Sequence, residues 1–162
     1  MKVSLHTTLT FAVGFGAAWA CDGGERCGPR SGTVLRTIDG DTVELTTGER
    51  VRYLMIDTPE STNGKGDCFG TEASSFNRQA VEGREITLEY DEVCEDDYGR
   101  LLAYVSVGGR EVNKLMVERG YACVLQIPPN GEARADEFDD LEYAARQGMV
   151  GLWGACEEVT CD

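Results

Sequence analysis

From Thr33 to Val107 the apolar positions come in short runs with a period near two. Thr33 to Asp39, Thr42 to Thr47, Arg50 to Asp57, Arg84 to Asp91 and Arg100 to Val107 each read as a strand. Thr47-Gly48-Glu49 and Gly108-Gly109 read as the turns between strands. The spacing then changes to that of a helix in three places. Ala73, Phe76, Ala80 and Val81 predict a helix over 71–81, which Gly83 ends. Val112, Leu115, Met116 and Val117 predict a second over 112–119, capped by Gly120. Phe138, Leu141, Tyr143 and Ala145 predict a third over 134–147, with these side chains partly inward. Tyr121 to Ile127 reads as short extended chain, broken by Pro128-Pro129. The expected class is α+β, mainly β. Five short strands in a meander, with about three helices, suit the partly open barrel of the OB-fold.

The two ends follow other rules. Met1-Lys2 and the apolar run from Leu9 to Ala20 predict a signal peptide over 1–20, with Ala18-Trp19-Ala20 as the cleavage pattern. A Gly-rich linker over 21–31, a domain over 32–155 and an acidic tail over 156–162 complete the expected organisation. Cys21 follows the cleavage pattern directly, so either simple secretion or a lipoprotein anchored through lipid on Cys21 is expected. Seven cysteines bear on that choice. With Cys21 lipidated, six remain for disulfides, which an exported location makes reasonable. Cys68 and Cys94 flank two polar loops and form one expected pair, the rest being undetermined.

Composition narrows the chemistry. Its one histidine, His6, lies in the leader, so a histidine base, a Ser-His-Asp triad and an H-E-x-x-H zinc site are all excluded from the mature domain. Carboxylate, guanidinium, phenol and a bound metal remain. The formal net charge of −14 argues against a broad basic groove. Any polyanion must meet a local cationic site, with weak and salt-sensitive binding.

Three short stretches carry candidate chemistry. Asp39-Gly40-Asp41-Thr42 is a turn between the first two strands. Arg52 and Asp57-Thr58-Pro59-Glu60 lie on and just past the third strand, and Pro59 cannot continue it. Asp96-Asp97-Tyr98-Gly99-Arg100 leads into the last strand. Taken singly, Asp41 is a turn former, Asp57 a cap, Glu60 a loop carboxylate, Arg100 an ion-pair partner of Asp96, and Tyr98 an edge aromatic.

In this order the motifs I-D-G-D-T-V, R-x-x-x-x-D-T-P-E and D-x-Y-G-R-x-L-A-Y resemble the staphylococcal-nuclease (thermonuclease) family, from about Gly32 to Gly154. The resemblance implies an OB-fold barrel and a calcium-dependent nuclease that cuts DNA and RNA, prefers single strands and leaves 3′-phosphates. It further implies Asp41 and Asp57 as Ca2+ ligands, with the backbone carbonyl of Thr58. Glu60 becomes the general base or water-positioning group, Arg52 and Arg100 the phosphate clamps, and Tyr98 a platform for a nucleotide sugar. Trp153 in G-L-W also matches the family and is expected to pack. The chain departs from the pattern near Gln126 and Pro128, where the family's base-contacting tyrosines are missing, and at Asp97, where a lysine stands in the best-known member. A monomer is expected. The alternative is a non-catalytic OB-fold module that binds nucleic acid or protein. Such a module should lack at least one of these acids or arginines and carry more basic surface.

Overall fold

The computed structural model describes residues 27–61 and 66–161. The expected leader, Cys21 and residues 62–65 of the loop after Glu60 lie outside the described residues. In chain order the elements are β1 (Ser31–Thr37), β2 (Thr42–Leu45), β3 (Arg50–Tyr53), β4 (Ile56–Asp57), α1 (Gly70–Val81), β5 (Glu85–Glu95), β6 (Leu101–Val107), β7 (Arg110–Glu111), α2 (Val112–Glu118), β8 (Cys123–Val124), a 3-10 turn (Glu132–Arg134), α3 (Ala135–Gln147) and α4 (Leu152–Ala155).

Five strands close a barrel. β1 pairs antiparallel with β2 and with β5, β2 with β3, and β5 with β6. The closure is the parallel pairing of β3 with β6, Arg52 lying opposite Leu102. Alternation explains the filling: Ile86 and Leu88 of β5 and Leu101, Ala103 and Val105 of β6 face inward with Val34, Val43, Leu45, Val51 and Tyr53. The helices pack outside. α1 buries Ala73, Ser74, Asn77 and Val81, positions three or four apart on one face. α3 buries Phe138 and Ala145. Tyr143 departs from the expected inward face; it is 65% exposed, and only part of the helix meets the core.

The run read as one strand from Arg50 to Asp57 is two. The chain turns at Leu54–Met55, where Met55 takes φ 64°, and β4 leaves the barrel to pair with β8 instead. The corner survives because its polar groups are satisfied. Leu54 N–H donates to Ala103 O (3.0 Å), and the fully buried Asn113 donates from Nδ2 to Leu54 O (2.8 Å). This turn carries Asp57 away from the strand that holds Arg52 and folds it back beside the guanidinium.

Six cysteines pair, but not as expected. Cys68 bonds Cys156, and Cys94 bonds Cys27; the Cys68–Cys94 pairing is wrong. Cys123 bonds Cys161, so two bridges staple the acidic tail. Cys94 on β5 and Cys68 just before α1 each pair instead with a cysteine near one end of the described residues. Each bridge closes a loop of several tens of residues, which in the chain-entropy account contributes about 4 kcal/mol.

Candidate active site

One polar cleft of about 190 Å³ lies at the barrel's end, lined by Asp39, Asp41, Arg52, Asp57, Thr58, Pro59, Glu60 and Arg100. All six residues assigned above to metal binding and catalysis are among them, although they are spread over sixty positions.

Asp41 is set by its turn. Asp39 accepts the Asp41 N–H (3.1 Å), a local Asx bond that shapes the D-G-D turn. Gly40 is required there: a Cβ would stand 2.5 Å from Thr58 Oγ1. The missing side chain lets Thr58 approach, and its N–H and Oγ1–H both donate to Asp41 Oδ2 (3.0 Å each). Thr42 Oγ1 donates to Asp41 Oδ1 (3.0 Å). Asp41 is only 5% exposed, and these donors hold the buried carboxylate in one orientation.

Arg52 spans the corner. Its Nη1 donates to Tyr53 O (2.8 Å) and Ile56 O (2.7 Å), Nη2 to Asp57 Oδ1 (2.9 Å), and Nε lies 3.2 Å from Asp41 Oδ1. The guanidinium thus ties the two strand fragments together and stands between both aspartates. Arg100 faces the same cleft from the start of β6. Its Nε donates to Asp96 Oδ2 (2.6 Å), while Asp96 Oδ1 accepts the N–H of Tyr98 and of Arg100. The ion pair with Asp96 therefore forms, and it aims Arg100 rather than removing it from the cleft. Burial pushes the Asp96 carboxyl up, but the Arg100 and Tyr98 donors outweigh it and hold the group below its ordinary value.

The four carboxylates exceed the two guanidiniums, leaving the cleft with a formal charge of −2. Burial, and then the neighbouring Asp41, push Asp39 up to about 7. Among the described residues no group of three acidic, histidine or cysteine side chains is spaced to hold an ion. The oxygens in this cleft that could hold a cation are the Asp41 and Asp57 carboxylates and the Thr58 carbonyl. Oxygen-only donors and a twofold negative excess fit a hard divalent cation.

A wider groove of about 710 Å³ adjoins the cleft, sharing Arg52 and Arg100, with Leu102, Leu125, Ile127 and Pro128 among its apolar walls. Tyr98 stands on its rim, 78% exposed, with its ring centroid 5.5 Å from the Arg100 guanidinium carbon. Trp153 packs under the Arg146 guanidinium (4.2 Å), away from this chemistry. Sequence reasoning overlooked two contributors. Asp96 entered only as a competing partner for Arg100, and Asp67, which accepts the Glu60 N–H (3.2 Å), not at all. Nothing in a run of polar loop residues marks which carboxylate folds back.

A family profile described as Staphylococcal nuclease homologue matches residues 50–155. The chain is 38% identical over 128 residues to an uncharacterized protein of Bacillus anthracis, covering 75% of this chain and 60% of that protein. It is 36% identical over 135 residues to the SPbeta prophage-derived endonuclease YokF of Bacillus subtilis, covering 79% of this chain and 45% of that one. It is 34% identical over 125 residues to the thermonuclease of Staphylococcus intermedius, covering 74% of each. The chain thus spans less than two thirds of the two Bacillus proteins.

Proposed function

The chain belongs to the staphylococcal nuclease family, and from that premise we propose that it is a metal-dependent nuclease hydrolysing phosphodiester bonds of DNA and RNA. The observation that carries the reading is the gathering of Asp41, Arg52, Asp57, Thr58, Glu60 and Arg100 round one cleft. The endonuclease and thermonuclease names of its relatives support the same class.

Asp41, Asp57 and the Thr58 carbonyl would hold the cation, for which Ca2+ is the reading we favour. Once bound, such an ion supplies Lewis-acid stabilisation of charge on the phosphoryl oxygens. The protein's own groups do the rest. Glu60 is exposed at the mouth of the cleft and accepts a proton from the attacking water, aiming its oxygen at phosphorus. Arg100, and Arg52 through the one Nη2 N–H that its protein acceptors leave, donate to the equatorial oxygens, whose charge grows as the water adds, so they bind the transition state more tightly than the substrate. Arg100 suits this role because Asp96 engages its Nε; among the described residues its two Nη groups donate to no protein acceptor. As the water oxygen bonds to phosphorus the P–O5′ bond breaks, the departing 5′-oxygen takes a proton from solvent water, and a 3′-phosphate is left. Both clamps read phosphate, so base specificity is weak, and the preference for single strands is carried over from the family the chain belongs to.

Export is part of the proposal, as simple secretion or with lipid on Cys21. Pairing of the other six cysteines supports it, since disulfides persist in oxidising compartments.

The test uses purified chain, single-stranded DNA, calcium and chelator. Calcium-dependent cleavage that is lost in Glu60→Ala, with products ending in 3′-phosphate, is expected. Binding without cleavage in calcium would instead identify a non-catalytic module.

A further inference from the structure

Glu60 can position water only if its backbone is held, and the chain makes the hold from one short segment, 67–70. Glu60 and Asp67 exchange two hydrogen bonds: Glu60 N–H donates to Asp67 Oδ2 (3.2 Å), and Asp67 N–H donates to Glu60 O (3.0 Å). The next three residues fix Asp67 itself. Cys68 is bonded to Cys156 at the end of α4, which ties the segment to the C-terminal tail. Phe69, held at φ 73°, stacks on Tyr121 (5.5 Å between centroids), which stacks on Phe76 of α1 (4.3 Å). Gly70 lies so close beneath Glu60 that a Cβ would stand 2.5 Å from Glu60 O and 2.8 Å from Pro59 O. Its own N–H donates to Asp67 O (3.1 Å).

We propose that Asp67 is a positioning residue for Glu60, and that the Cys68–Cys156 bridge makes the C-terminal tail part of the same support. Asp67 does not touch the scissile phosphate; it acts through the Glu60 main chain. The inference rests on the nuclease reading, since it assigns work to Glu60. The physical reason is reach. Glu60 is exposed and follows Thr58-Pro59, and among the described residues no regular element holds it between β4 and α1. A displacement near 1 Å at a group aiming water costs up to about a hundredfold in rate. The Oδ2 acceptor and the bridge oppose such displacement from the loop's far end.

The test compares wild type, Asp67→Ala, Asp67→Asn and the paired variant Cys68→Ser with Cys156→Ser. Steady-state cleavage of a single-stranded oligonucleotide in calcium is measured beside amide hydrogen exchange at Glu60. Asp67→Ala is expected to lower kcat about tenfold or more with KM changed less than about twofold, and to speed exchange of the Glu60 amide. Asp67→Asn retains an acceptor oxygen and is expected to stay within about threefold of wild type in kcat. The paired serine variant is expected to lose kcat in the same direction, with KM held. An active wild type whose kcat is unchanged in Asp67→Ala overturns the positioning role, as does Asp67→Asn falling as far as Asp67→Ala. A wild type that cleaves nothing overturns the nuclease reading instead, and the exchange measurement still reports whether the clamp exists.

Discussion

Replacing Arg52 with lysine keeps the charge and removes the fork, so it separates two roles that the geometry gives one side chain. The guanidinium serves four acceptors: Tyr53 O, Ile56 O, Asp57 Oδ1 and Asp41 Oδ1. Its side chain is 13% exposed, so water replaces few of these. An ammonium has three donors on one atom and cannot span acceptors spread along a planar fork; about two would be kept. Each buried acceptor left unmet costs about 1–3 kcal/mol, so with two unmet a stability loss of about 2–6 kcal/mol is expected. Urea denaturation in chelator reads this as a lower midpoint at unchanged slope. Turnover falls for a different reason. The remaining Nη2 N–H, aimed at a phosphoryl oxygen, stabilises charge that appears only in the transition state, and loss of one such donor typically costs about 10²–10³ in kcat. Single-stranded DNA cleavage at saturating calcium, below the variant's unfolding temperature, measures that loss. Arg36→Lys is the control: the ion pair of Arg36 with Glu44 is exposed, and such pairs contribute at most about 1 kcal/mol. An Arg52→Lys variant with kcat within about threefold of wild type would refute the clamp. One with an unchanged urea midpoint would refute the claim that the fork holds the Leu54–Met55 corner.

Asp96→Asn is expected to reduce kcat by loosening Arg100. It should also lower stability with a defined pH dependence. The folded-state value of Asp96 is depressed, so its contribution is present above its unfolded value, near 3.9, and is lost as pH falls through the folded value. The gap in urea midpoint between the two proteins should be constant above about pH 5 and close at lower pH; a gap that persisted in acid would contradict the assignment. Tyr98→Ala should leave stability within about 0.5 kcal/mol, since the ring is exposed. The same change should raise KM for a single strand about fivefold or more if the ring stacks, the contribution being about 1–3 kcal/mol; an unchanged KM would remove its substrate role. Salt titration of binding in calcium to uncleaved DNA by Glu60→Ala should give a shallow slope. Two phosphate-facing arginines at about 0.7 each predict a value near −1.4, and a slope several times steeper would contradict a site of two arginines.

The candidate site was legible in the chain because its parts are local. Asp39-Gly40-Asp41 is shaped by an Asx bond two residues long, and Arg52 to Glu60 spans nine positions across one turn. Short-range geometry sets the turns that carry these groups, and the ordered motifs, through the family they resemble, name them before any packing is known. The five-strand barrel was legible for a related reason. A period of two marks each inward face, whatever pairs with it. Arg100 was placed by the motif, but its orientation by Asp96 was left open, because an exposed and an aimed arginine read alike.

What the sequence determined alone was a set: strands, helices, acids, two arginines, an even number of cysteines beyond Cys21. Tertiary structure decided how members of the set meet. The corner at Leu54–Met55 lies in the apolar run Leu54-Met55-Ile56 with no glycine or proline, and it turns only because Ala103, Asn113 and Arg52 satisfy its backbone. Cysteine pairing and the fold-back of Asp67 onto Glu60 depend in the same way on distances set by distant segments. A side chain's periodicity states which face it prefers; which neighbour stands there is settled only when the barrel closes and every buried polar group must find its partner.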